Sequence, residues 1–135
     1  LSVVLDPNRL AMILAVLQKN LAIETYGLNV FLNVTGGAKI SETGADLPAL
    51  LSLVSSIRNK PLPEKLIAFG EIGLTGEVRF IQKGSERINE ANKLGFTKAI
   101  IPNANMPKTL PSNMEIIGVD NIGEALLALK KFEES

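Results

Sequence analysis

Runs with strand-like alternation are interleaved with helical apolar patterns along the chain, and this mixture limits the folds it can adopt. Residues 28–35 alternate Leu or Val with Asn, Phe or Thr, which predicts a strand, and two glycines close the run. In residues 47–57 the apolar side chains recur at helical spacing instead. Strands mixed with helices indicate an α/β fold with both hairpin and crossover connections.

Capping and turn residues place the remaining elements. We predict helices that begin at Asp6 and Pro7, at Asp46 as N-cap, over residues 85–94 and near Asn121, and strands over residues 2–5, 66–69, 77–81, 98–101 and 115–119. Residues 73–76 are predicted to join the two strands that flank them as a hairpin-like connection. Glu124 is placed to complete a capping box with Asn121, and residues 103–113 are predicted to form a surface loop.

Composition excludes several classes of chemistry. The chain has 135 residues, enough for one domain with a single core, and 46% of them are hydrophobic. It has no cysteine and no histidine, which excludes disulfides, thiol catalysis and imidazole bases. No apolar run reaches the roughly 18–20 residues that span a bilayer. Because the chain begins without Met, we expect it to be a domain of a longer protein.

Three glycine-rich segments recur in an order typical of one peptidase family. Residues 36–46 (GGAKISETGAD), 69–78 (FGEIGLTGEV) and 81–87 (IQKGSER) resemble the proteolytic domain of Lon proteases, which carries a serine nucleophile and a lysine base. Aligned without gaps, the nucleophile position falls on Gly44 and the base position on Arg87. The resemblance implies a Lon-like fold over residues 1–135, a single domain of mixed sheets with packed helices.

Neither residue at these two positions supports hydrolysis. Glycine has no nucleophile, and arginine keeps its proton at ordinary pH and cannot act as a base. A relocated pair is the alternative, with Ser41 or Ser85 attacking and Lys39 or Lys83 as base. A shift of three residues along an ordered loop breaks near-attack geometry, so we expect this domain to have no catalytic residue and no enzymatic activity.

A closer resemblance covers nearly the whole chain. Residues 27–37, 70–79, 86–91 and 95–102 resemble the C-terminal Lon-like domain of the RadA (Sms) family of bacterial DNA repair proteins. The resemblance implies a cytoplasmic, ring-forming protein, a homo-hexamer that processes branched recombination intermediates, with RecA or other recombination proteins as possible partners. Its zinc finger and RecA-like ATPase would lie outside this chain. ATP, Mg²⁺ and zinc are therefore expected only in those parts, and no cofactor in this domain.

Contact with DNA would need a local basic patch, because the 14 basic and 14 acidic residues give zero net charge. The candidate residues flank the motif loops, and together they would contact phosphates without reading sequence. They are Lys39, Arg58, Lys60, Arg79, Lys83 and Arg87. The alternative is ordinary solvated surface, in which Arg87 pairs with a carboxylate such as Glu86 or Glu90. With one tyrosine and no tryptophan, an aromatic stacking platform is not evident.

The sequence is compatible with three functions. The first is a non-catalytic assembly and DNA-binding domain of a repair ATPase. The second is a peptidase with an unusual dyad. The third is a protein-interaction module that uses the old substrate groove.

Overall fold

The computed structural model describes residues 7–21 and 43–134, which contain both helices and short strands. The helices are α1 (Pro7–Leu21), α2 (Asp46–Arg58), α3 (Gly84–Lys93) and α4 (Ile122–Glu133), and the strands are β1 (Leu66–Ala68), β2 (Glu71–Ile72), β3 (Val78–Arg79), β4 (Lys98–Pro102) and β5 (Glu115–Val119). Short 3₁₀ turns lie at Thr43–Ala45 and Asn103–Asn105. The predicted mixed α/β class is confirmed. The strands predicted at residues 2–5 and 28–35, and the cap at Asp6, lie outside the described residues.

The larger sheet is parallel, with strand order β1-β4-β5. Leu66 of β1 is in register with Lys98 of β4, which is in register with Glu115 of β5. Parallel neighbours need a crossover, and α3 supplies it between β1 and β4. The central strand β4 is almost wholly buried, with Ile100 and Ile101 inaccessible to solvent. The sheet is therefore covered by packed chain on both faces of β4.

The hairpin prediction was wrong in its first strand. Residues 73–76 do form the turn, but they join β2 to β3 and not β1 to β3, with Glu71 opposite Arg79 and Ile72 opposite Val78. The cause is competition for β1, whose three residues all pair with β4. Such a pairing between distant segments leaves no periodic signal in the sequence.

The β2–β3 hairpin is fastened to the start of α4. The Val78 N–H donates to the carbonyl of Asp120 at 2.8 Å, and the Ile122 N–H donates to the carbonyl of Gly76 at 2.9 Å. The predicted cap at Asn121 is confirmed, because its side chain accepts from the Glu124 N–H. The return bond of the predicted capping box is displaced by one residue, since the Glu124 carboxylate accepts from the N–H of Asp120, the residue before the N-cap. The hairpin and α4 therefore meet along one hydrogen-bonded seam.

Asp46 is the first residue of α2 and does not cap it, which corrects the prediction. Ala45 is the N-cap, without a side-chain hydrogen bond. The Asp46 carboxylate is wholly buried and is already engaged elsewhere. It forms an ion pair with Arg9 of α1 and accepts from the Ile72 N–H at 3.0 Å. This carboxylate therefore links α1, α2 and β2 at one point.

The described residues form a core of two apolar clusters. The larger one is built around α2, α1 and α4, and it includes Leu47, Leu50 and Leu17. The smaller one lies under α3, where Ile88 and Ala91 pack with Phe69 and neighbouring strand residues. The helix stripe predicted for α2 is confirmed up to Val54. These clusters fix α3 against the sheet and so position the charged residues that it carries.

Candidate functional site

Gly44 and the side chain of Arg87 are neighbours in the fold. Gly44 is buried in the turn before α2, and its carbonyl accepts from the Gly70 N–H at 3.0 Å. A β-carbon built on Gly44 would lie 3.3 Å from a guanidinium nitrogen of Arg87 and 3.1 Å from the Cδ1 of Ile81. Any side chain at position 44 would therefore contact the side chain at position 87. This proximity is the arrangement that a nucleophile and its base require.

The first turn of α3 holds Arg87 at this point. Lys83 precedes the helix with a left-handed backbone, φ 61°, and its carbonyl accepts from the Arg87 N–H at 3.1 Å. The guanidinium lies 6.0 Å from the centroid of the Phe69 ring, within cation–π range. Since Phe69 is itself buried, the ring fixes one wall against which Arg87 is packed.

Asn105 fixes the segment that packs against Gly44. Its buried side chain accepts from the Ile81 N–H at 3.0 Å and donates to the Ile81 carbonyl at 2.9 Å. Gly84 is required beside it, because an added β-carbon would collide with the Asn105 amide. The sequence pattern did not single out Asn105, whose only signal is an Asn in the turn just after a predicted strand.

A groove of about 700 Å³ runs beside Arg87, between β1 and α3. We call it the charged groove. Its polar residues are Gln82, Lys83, Glu86, Arg87 and Glu90, and its apolar ones are Ile67, Ala68, Phe69, Ala91, Leu94 and Phe96. The lining thus has equal numbers of cationic and anionic side chains above an apolar floor. Such a lining suits a mixed-charge ligand better than a polyanion.

Arg79 lies outside the charged groove and is engaged with carboxylates. Its guanidinium is 3.0 Å from Glu77 and 3.5 Å from Glu71, and the pairing raises the pKa of Arg79. The Thr75 hydroxyl and the Arg79 guanidinium lower the pKa of Glu77 from 4.5 to about 2. Two carboxylates beside one arginine leave this spot without excess positive charge.

The other basic candidates are dispersed. Lys60 lines a second groove together with Glu64, Lys98 and Glu133, and that groove shares no residue with the charged groove. Arg58 is exposed at the end of α2. Lys39 lies outside the described residues. Among the described candidates, the structure brings Lys83 and Arg87 into one groove and leaves the rest apart.

Residues 7–21 and 43–134 show no cluster of metal ligands and no helix of membrane-spanning length. Within those ranges no group of three or more Asp or Glu side chains is placed to hold a metal ion. No helix of the described part is long and apolar enough to cross a bilayer.

The chain is similar to one protein family and to several individual proteins. Residues 10–105 match the family described as subunit ChlI of Mg-chelatase. The chain is 51% identical over 125 residues to the DNA repair protein RadA of Pseudomonas aeruginosa, which covers 93% of the chain and 28% of that protein. It is also 51% identical to RadA of Escherichia coli over 122 residues, and 42% identical to RadA of Bacillus subtilis over 123 residues. These matches span 26% and 27% of the two proteins, so the chain corresponds to about a quarter of each relative.

Proposed function

We propose that this chain, which belongs to the family described as subunit ChlI of Mg-chelatase, is a non-proteolytic, Lon-like domain of a DNA repair protein. Relatives named DNA repair protein RadA share half of its residues over nine-tenths of its length, which makes them the better guide to its role. In the whole protein, this domain would be a platform for ring assembly and a surface that contacts DNA. The whole protein would be a cytoplasmic DNA-dependent ATPase.

The proposal that the domain does not hydrolyse peptides is supported by the proximity of Gly44 to Arg87. The two dyad positions implied by the resemblance are adjacent, as a Lon-like frame requires, but they hold a residue without a side chain and a permanent cation. Ser85 is a poor substitute, because it lines a different groove from Lys83 and Arg87. Ser41 lies outside the described residues.

Assembly into a homo-hexamer is the second part of the proposal. Several large apolar side chains remain exposed on separate elements, including Leu74 at 71%, Leu94 at 71% and Leu127 at 69%. Contact between copies of the chain in a closed ring would cover some of this apolar surface. The full protein would also meet RecA or other recombination proteins, while ATP, Mg²⁺ and zinc would bind to its other parts.

DNA contact is the third part of the proposal, with Lys39, Arg58, Lys60, Arg79, Lys83 and Arg87 as the candidate residues. Among those that the structure describes, Lys83 and Arg87 share one groove, so they are the pair to test. Replacement of Lys83 and Arg87 by alanine should weaken binding to all sequences alike and flatten the dependence of affinity on salt. Fluorescence anisotropy with labelled duplex DNA at several salt concentrations measures both quantities. If the double variant binds as tightly as the parent with the same salt slope, these two residues do not contact DNA.

A protein-interaction module is the second candidate function. The balanced charge and apolar floor of the charged groove favour it, because an extended peptide could occupy the space beside β1. If DNA binding is unchanged in the Lys83 and Arg87 variant, the protein-interaction function is favoured over DNA contact by this groove.

A further inference from the structure

Helix α3 presents two different polar faces to two different grooves. One face carries Glu86, Arg87 and Glu90 into the charged groove. The other carries Ser85, Asn89 and Asn92, at the i, i+4 and i+7 positions of one stripe. This uncharged stripe lines a groove of about 390 Å³ that we call the amide groove.

The opposite wall of the amide groove is the segment from Pro107 to Pro111. It contributes Lys108, Thr109 and Leu110 as well as the two prolines. Proline fixes its own φ angle, so this wall loses less conformational freedom when a ligand binds than an ordinary loop would. The segment follows Asn105, whose side chain is held by Ile81, and the Met106 N–H donates to the Asn103 carbonyl at 3.0 Å. The wall is therefore anchored at its start.

The amide groove differs from the other two grooves described above in the charge of its lining. Its lining contains one lysine and no carboxylate. The charged groove has two cations and two anions, and so does the groove around Lys60. Of these three, only the amide groove has a net positive lining.

We propose that the amide groove binds the phosphodiester backbone of DNA, a proposal that rests on the DNA-contacting role proposed above. Lysine ammonium, serine and threonine hydroxyls and asparagine amides are the side-chain groups that donate to phosphate oxygens in protein–DNA complexes. Ser85 also lies in the first turn of α3, where the helix dipole favours an anion, while the acidic residue of that turn, Glu86, lines the charged groove. The exposed Leu110 offers an apolar contact beside these donors.

The test is binding of labelled single-stranded and duplex oligonucleotides by the parent chain and two matched double variants. Asn89→Asp with Lys108→Glu puts two carboxylates into the amide groove and removes its lysine, so the net charge falls by three. Asn113→Asp with Lys130→Glu adds the same charge at exposed residues that line none of the three grooves. Fluorescence anisotropy over a salt series gives the affinity and the salt slope, and circular dichroism checks the fold of each variant.

We expect the amide-groove variant to bind at least tenfold more weakly, and the control variant to change affinity less than threefold. For each phosphate that the amide-groove variant no longer neutralises, its salt slope should fall by about 0.9 on duplex or about 0.7 on single strands. Equal losses of affinity in the two variants would overturn the proposal, since they would reflect net charge alone. A folded amide-groove variant that binds like the parent would also overturn it and leave the DNA-contacting role standing. A parent chain that binds neither oligonucleotide would contradict both.

Discussion

At the scale of single residues, Glu77 is the carboxylate whose acidity the fold changes most clearly. The Thr75 hydroxyl and N–H both donate to its Oε1, at 2.6 Å and 3.1 Å, and Arg79 lies 3.0 Å from its other oxygen. Its carboxylate also folds over Gly73, where an added β-carbon would collide with it. A partly exposed side chain is thus held in one position at the end of the β2–β3 hairpin.

The lowered pKa of Glu77 makes a prediction about acid stability. Since its pKa is about 2 in the folded state and 4.5 without these contacts, ionised Glu77 stabilises the fold above about pH 4.5, and this stabilisation is lost as the pH falls towards 2. In urea unfolding, the stability gap between the parent and Glu77→Gln should therefore narrow over that range. A gap of constant size from pH 6 to pH 2 would contradict it. Thr75→Val should raise the pKa of Glu77, which carboxyl NMR titration measures.

At the scale of elements, a buried ion pair connects α1 to α2 and, through the same carboxylate, to β2. Asp46 has a fully buried side chain on α2, and Arg9 of α1 contacts it through two nitrogens. The Ile72 N–H completes the set from β2. Removal of the arginine alone would leave a buried carboxylate without its counter-charge.

Arg9→Leu should therefore lower the free energy of unfolding by about 3 kcal/mol, at the low end for buried pairs because Arg9 is partly exposed. The double change Arg9→Leu with Asp46→Leu should cost less than the sum of the two single changes. Arg58→Leu, at the exposed end of α2, is the control and should shift stability by less than about 0.5 kcal/mol. Strictly additive losses in urea titrations would show that the pair does not act as a unit.

Sequence patterns predicted elements with local signals and failed where distant segments compete. Two such signals are the Asn121 cap and the end of α3, which lies just before Gly95 with its φ of +91°. Both depend on residues only a few positions apart. The partner of β1 and the partners of Asp46 depend on segments dozens of residues away, which no local pattern encodes. The amide groove was missed for the same reason, because its two walls meet only in the folded chain.

The candidate site was partly accessible from sequence. Gly44 and Arg87 were singled out through the resemblance, and the structure places them together. The basic residues expected to form one local patch lie apart in the described structure, since Arg79 is paired with Glu77 and Lys60 lines a separate groove. Basic residues spaced along a chain do not reveal which carboxylates will fold beside them.

At the scale of the whole molecule, the proposed ring makes a prediction about assembly. The isolated chain should self-associate as its concentration rises, with a hexamer as the largest closed species. Sedimentation velocity over a wide concentration range measures this directly. A strict monomer at the highest concentration would remove the support for the assembly platform.

The central proposal is that Gly44 and Arg87 occupy the dyad positions of a Lon-like peptidase fold and leave it without a nucleophile or a base. Labelling by a serine-reactive phosphonate, followed by mass spectrometry and incubation with unfolded casein, tests it most directly. The parent chain should acquire no adduct and leave casein intact. A folded Gly44→Ser, Arg87→Lys variant should acquire an adduct at position 44, and the Gly44→Ser single variant should not. Labelling of Ser41 or Ser85 in the parent together with casein cleavage would contradict the proposal, as would a folded double variant that stays unlabelled.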